Sequence, residues 1–279
     1  GKSGIRIKYL MKSEAASPEK LLNLEKDLNK ISYKKTPIGG LFSRMLLILN
    51  RYDHRINDLN NFYAIPLVIL KSIKNKRLIN FDKKRNILLG YSNNRINFKE
   101  LIVPLINEFP DNYILYGPVV EKDNNTISLD DFPNLNLLQC LKILWFSFLK
   151  FPQISKKFRE NKVFCSNLVI FNNFFTQLTR LESINLIIKN FKIVIVDSDR
   201  NYMNASIVLA ANTMGIKTVT LVHGMMNPVY GYNPILANEV WCWGEFDKNL
   251  LLDLEVAPSK IKVVGNPIIQ NDSTYKLNK

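Results

Sequence analysis

The residues best suited to chemistry stand at the ends of apolar runs. His223 follows the run KTVTLV (217–222) and stands directly before Gly224. An imidazole there can take a proton from an attacking hydroxyl near neutral pH or hydrogen-bond a phosphate, and the glycine permits close backbone approach. A histidine that only caps a strand end is the plainer alternative. Asp197 closes the run FKIVIVD (191–197), and Asp199 follows after Ser198. Such a pair can bind a metal, orient a sugar hydroxyl or serve as a base, and either aspartate can instead cap the next helix. The cap is expected of Asp199 and the polar site of Asp197.

Further candidates lie downstream. Asn227, Tyr230 and Tyr232 belong to NPVYGYNP (227–234), which reads either as a loop whose tyrosines stack on sugar rings or as an ordinary surface loop. Glu245 opens a helical stretch, where a carboxylate is favourable on structural grounds alone, and it is also a candidate substrate contact. Asn266 follows the run KIKVVG (260–265). The reading therefore takes His223 and Asp197 as catalytic, and Asp199, Gly224, Asn227, Tyr230, Tyr232, Glu245 and Asn266 as substrate-binding.

The elements that must position these residues alternate. NILLGYS (86–92) and NYILYGPV (112–119) read as strands around the helix NFKELIVPLINEF, despite Pro104. A polar loop, EKDNNTISLDDFPNLN, precedes two long helical stretches at about 135–160 and 165–189. FKIVIVD is a strand of buried type, RNYMNASIVLAANTM (200–214) a helix ended by Gly215, and KTVTLV the next strand. NEVWCW (238–243), EFDKNLLLDLE (245–255) and KIKVVG continue the rhythm as strand, helix and strand. This pattern predicts an α/β fold: a doubly wound, mostly parallel Rossmann-like sheet with extra N-terminal and mid-chain helices. In such a sheet the carboxyl ends of the strands share one edge, and ligands bind in the crevice beyond it.

Upstream, SPEKLLNLEKDLNK predicts a peripheral helix or linker, with Ser17 as N-cap and Pro18 at the first helical position. LFSRMLLILN and AIPLVILKSI read as helices, followed by the basic cluster Lys71 to Arg77. The division expected is a helical extension over 1–80 and a Rossmann-like domain over 81–267, with 268–279 starting a second domain or linker.

Composition narrows the classes. Of 279 residues, 47% are hydrophobic and 22% charged, as in a soluble globular chain. The net charge of +14 suits an anionic partner, namely nucleic acid, a lipid surface or phosphate-bearing substrates. Abundant Lys, Asn and Ile also fit A·T-rich coding. Cys140, Cys165 and Cys242 lack metal-ligand spacing and read as reduced cytoplasmic thiols, so neither a metal nor a cofactor is expected. LNLLQCLKILWFSFLKF (135–151) carries Lys142 and Lys150 and falls short of the roughly 20 residues of a membrane span. It reads as a core helix with snorkelling lysines, the alternative being an amphipathic helix on a membrane. P-loop, Gly-x-Gly-x-x-Gly and Gly-x-Ser-x-Gly patterns are absent, so the enzyme classes built on them recede.

Residues 196–269, with a strand ending in Asp, GIKTV, HG after the next strand, ANEVWCWGE and KIKVVGNP, resemble the middle of bacterial GT-B glycosyltransferases of capsular and other surface polysaccharides. The resemblance implies two facing Rossmann-like domains, the first holding the acceptor and the second the nucleotide-sugar donor. VVGNP resembles the passage into that second domain, which implies that most of the donor half is not in this chain and that the chain alone is catalytically incompetent. The implied partners are a nucleotide sugar and a glycan acceptor, with a membrane surface where the acceptor is lipid-linked. The implied location is the cytoplasm, peripheral at the inner membrane face.

Two alternatives stay open. A UDP-sugar 2-epimerase has a similar outline but carries His-x-Glu-Ala-Gly-x-Arg where this chain has His223-Gly224-Met225-Met226-Asn227-Pro228. A non-catalytic basic module binding membrane or nucleic acid is the other, although no RNP-like strand, KH pattern or compact Arg-rich helix favours specific nucleic-acid binding.

Overall fold

A computed structural model describes residues 16–51, 85–91, 96–109, 112–117, 126–127, 135–200, 202–222 and 234–266. At the N-terminal end, Lys20 N–H donates to Ser17 Oγ and Pro18 takes the first helical position, so helix α1 (Pro18–Leu28) starts at the predicted cap. Leu21, Leu24 and Leu28, spaced three and four apart, are all fully buried. That stripe corrects the expectation of a peripheral helix. α1 shares its core with the helices that cover the sheet.

A short hairpin, β1 (Ser32–Tyr33) and β2 (Thr36–Pro37), then a 3-10 turn at Gly39–Phe42, lead into helix α2 (Ser43–Arg51). The second apolar run expected to be helical, AIPLVILKSI, lies outside the described residues, as does the Lys71 to Arg77 cluster.

The main chain rhythm follows: β3 (Ile87–Gly90), α3 (Ile96–Glu108), β4 (Tyr113–Tyr116), β5 (Thr126–Ile127), α4 (Leu137–Glu160), α5 (Asn167–Asn185), β6 (Ile193–Val196), α6 (Tyr202–Thr213), β7 (Lys217–Leu221), β8 (Glu239–Cys242), α7 (Glu245–Asp253) and β9 (Ile261–Val263). Strands β3 to β9 form one parallel sheet in the order β5-β4-β3-β6-β7-β8-β9. The fold is α/β and doubly wound, as the alternation predicts. Order reverses between β3 and β6: the chain first winds outward through β4 to β5, then returns to β6 and winds the other way.

Handedness explains the layers. Right-handed crossovers that travel in opposite directions place their helices on opposite faces. Ile102 of α3 packs with Ile87, Leu89, Ile195 and Val219, whereas Ile207 and Val208 of α6 pack with Leu88, Val194 and Val196. Alternate residues of each strand thus feed two cores, which is why these strands read as continuous apolar runs.

Two other expectations change. Thr126 and Ile127, read as part of a polar loop, form the edge strand β5 against Leu115 and Tyr116. Helix α4 is a core helix on one face only: Cys140, Ile143, Ser147, Ile154 and Phe158 are buried, while Leu138, Leu141, Trp145, Phe148 and Leu149 are exposed. Gly215, by contrast, ends α6 as predicted. Its φ of 72° permits Ile216 N–H to bond Ala211 O and Gly215 N–H to bond Asn212 O.

Candidate functional site

The crevice beyond a reversal of strand order is where an open α/β sheet has room for a ligand, because the loops leaving the two flanking strands diverge to opposite faces. Here those strands are β3 and β6, paired with Gly90 opposite Val196. Their next residues are Tyr91 and Asp197, and Asp197 N–H donates to Gly90 O at 3.0 Å. Asp197, a sequence candidate, therefore stands at the switch point.

Three further groups surround it, none of them among the site residues taken from the sequence, although Tyr91 follows a strand there. Asn204, on the first turn of α6, donates from Nδ2 to Asp197 Oδ1 at 2.8 Å and to Ser198 O at 2.9 Å. Its Oδ1 is buried and has no hydrogen-bond partner among the described residues. Gly90 makes this approach possible, since a Cβ there would lie 3.0 Å from Asn204 Oδ1 and 3.1 Å from Val196 Cγ1. Tyr91 and Tyr116 complete the group. The Tyr91 ring lies against Gly117, where a Cβ would fall 2.1 Å from Tyr91 Cζ.

The electrostatics keep both phenols protonated. Burial pushes the Tyr116 hydroxyl far above its ordinary range; Arg180 pulls it back, and the charges of Asp197 and Tyr91 add to the rise. Burial pushes Tyr91 up as well. The cluster thus combines the buried Asp197 carboxyl, an unfilled amide acceptor and two phenols able to donate. Such a set can hold and orient hydroxyl groups, and a carboxylate so placed can accept a proton from one.

Asp199 stands differently. Its Oδ2 accepts from Leu236 N–H at 2.7 Å and Ala237 N–H at 3.0 Å, so this oxygen fixes the chain entering β8 rather than the start of α6. Burial pushes the Asp199 carboxyl up, against the pull of Arg200, the two amides and Lys260. Arg200, fully buried, pairs with the equally buried Glu25 of α1 at 2.6 Å and donates from Nε and Nη2 to Pro234 O. Lys260 Nζ donates to Ile235 O and Ala237 O, and Asn212 Nδ2 to Leu236 O. The segment that returns from the β7 loop to β8 is therefore clamped from four sides.

Glu245 and Asn266 belong to a third place. β8 is two strands from β6 and β9 three, so their ends lie roughly 10 and 15 Å from the β6 end at ordinary strand spacing. Glu245 is exposed on the first turn of α7 and pairs with Lys248 at 2.8 Å. Trp243 N–H, just before that helix, bonds Asp247 Oδ2. Between α3 and these strand ends runs a cleft of about 300 Å³, whose walls include Leu105, Glu108, Trp241, Trp243 and Val222. Val222 is the residue immediately before His223. His223, Gly224, Asn227, Tyr230 and Tyr232 themselves lie outside the described residues. Among the described residues no group of three or more His, Cys, Asp or Glu is arranged to hold a metal ion.

No protein-family model matches the chain, and no curated protein and no solved structure matches it either.

Proposed function

We propose that this chain is the acceptor-side half of a GT-B type glycosyltransferase that moves a sugar or polyol phosphate from a nucleotide-activated donor to a surface polysaccharide acceptor. The observation that carries the reading is the reversal of strand order between β3 and β6 with Asp197 standing in it. Substrates rich in hydroxyl groups suit that crevice: Asp197 orients or deprotonates the attacking hydroxyl, and Tyr91, Tyr116 and the free Asn204 oxygen bond its neighbours. His223 serves as general base or phosphate contact from the end of β7, with Asn227, Tyr230 and Tyr232 on the acceptor and Gly224 allowing close approach. Asp199 acts at one remove by fixing the return of the loop that carries them. The work is done in the cytoplasm, at the inner face of the membrane.

The test uses the protein as its own cell produces it. Release of free nucleotide is followed across a panel of nucleotide-sugar and nucleotide-polyol donors, with a surface-glycan extract as acceptor. One donor class should be consumed, and Asp197→Asn and His223→Ala should each lower turnover by about 10²-fold or more with unfolding midpoints near the wild type. Undiminished turnover in both variants would remove their roles. Failure to consume any donor would count against the transferase itself.

A further inference from the structure

Helix α4 presents two apolar faces, and the core accounts for one. Leu138, Leu141, Trp145 and Phe148 follow one another at intervals of three and four along its other side, Leu149 stands one turn after Trp145, and Trp145 is 66% exposed. Phe164, in the connection between α4 and α5, is exposed as well, at 69%. Exposing this much leucine and aromatic surface to water is costly, and a contiguous patch of it marks a place of contact.

The charges say what kind of contact. Lys142 and Lys150 interrupt the stripe, and Lys156, Lys157 and Arg159 follow it. Glu160 is the sole acidic residue between 137 and 160, and both Lys156 and Lys157 already pair with it. Lysines on long stems beside Leu, Phe and Trp are the composition of a helix lying in a lipid headgroup layer, with the apolar side chains below and the ammonium groups among anionic phosphates. No described helix, α4 included, is long and apolar enough to cross the bilayer. A second copy of the chain fits poorly, because it would bring +14 against +14.

We propose that the exposed face of α4 is a docking surface for an anionic lipid bilayer, with the helix axis in the membrane plane. The inference concerns where the protein works and is independent of sugar transfer. Vesicle binding can fail with transfer intact, or hold where no donor is consumed.

The experiment is cosedimentation of the full chain with vesicles of phosphatidylcholine containing about one third phosphatidylglycerol, against vesicles of phosphatidylcholine alone. Wild type should partition at least tenfold more strongly to the anionic vesicles. Trp145→Glu with Leu149→Glu should abolish at least nine tenths of that binding, and so should Lys142→Glu with Lys150→Glu. Phe246→Glu, which changes an exposed aromatic on α7, should leave it unchanged. All these side chains are exposed or peripheral, and matching thermal unfolding of the variants confirms that the fold is retained. Equal binding to neutral vesicles, or equal loss with Phe246→Glu, would overturn the proposal. So would a wild-type dimer in solution that ignores vesicles and is dissolved by the Trp145 and Leu149 changes, because a second copy would then be the occupant.

Discussion

Asp197 and Asp199 are separated by a single serine, and both are almost wholly removed from solvent. Asp197 lies where two strands part, beside phenols and an amide oxygen that nothing in the surrounding described fold bonds. Asp199 faces the entry to β8, with backbone amides on one oxygen and the Arg200 charge nearby. Burial alone cannot tell the two apart. The kind of partner does: backbone donors from a distant segment make a fastening, whereas a side-chain amide whose own oxygen is left over makes a place for something else.

The largest effect is expected at the fastening. Arg200→Met takes from the buried Glu25 the guanidinium it pairs with at 2.6 Å, which should cost about 3 to 5 kcal/mol in denaturant unfolding. Glu25→Leu together with Arg200→Met should be less destabilised than the Arg200 change alone, because both members of the buried pair are then replaced by apolar side chains. If the single change costs under about 1 kcal/mol, the pair is not the clamp described here, and the segment before β8 is held chiefly by Asp199 and Lys260.

A smaller effect sharpens the other side. Gly117→Ala sets a methyl inside the Tyr91 ring and must displace it, with a stability loss of about 1 to 3 kcal/mol. Adding Tyr91→Ala should remove the collision, so that the double variant loses less through Gly117→Ala than the single one does. Unfolding midpoints of the three proteins measure this. Additive losses would show that Tyr91 yields without resistance and does not hold the wall of the crevice.

Much of this arrangement was legible in the sequence because it depends on local chemistry. IVIV, KTVTL and EVWC are short, apolar and β-rich, Gly215 stops a helix, and Asp197 closes a strand. Other parts were not. β5 comprises two residues whose strand character comes from pairing with β4, and no local signal distinguishes Thr126 from its polar neighbours. The leucine stripe of α1 is diluted by lysine and glutamate, so its composition reads as surface while its spacing puts it in the core. Asn204 is one polar residue in an apolar helix, and it meets Asp197 through the β6 to α6 turn. The partners of Asp199 are more distant still, at Leu236 and Ala237, which is why a local cap was the natural expectation.

The finest test concerns pH. The Asp199 carboxyl is raised by burial above the value near 3.9 of an unfolded chain. The protonated form is then the one the fold prefers, so its contribution is complete below about pH 4 and is lost as pH rises through the folded value. Asp199→Asn removes the titration. The unfolding free energy of the wild type minus that of the variant should therefore fall as pH increases from about 4 and then level off. Parallel urea titrations of the two proteins across this range would measure the difference while other titrating groups cancel. A difference that grows with pH would mean that the amides of Leu236 and Ala237, with Arg200, outweigh desolvation. Asp199 would then act as a charged fastening, electrostatically closer to Asp197 than its surroundings imply.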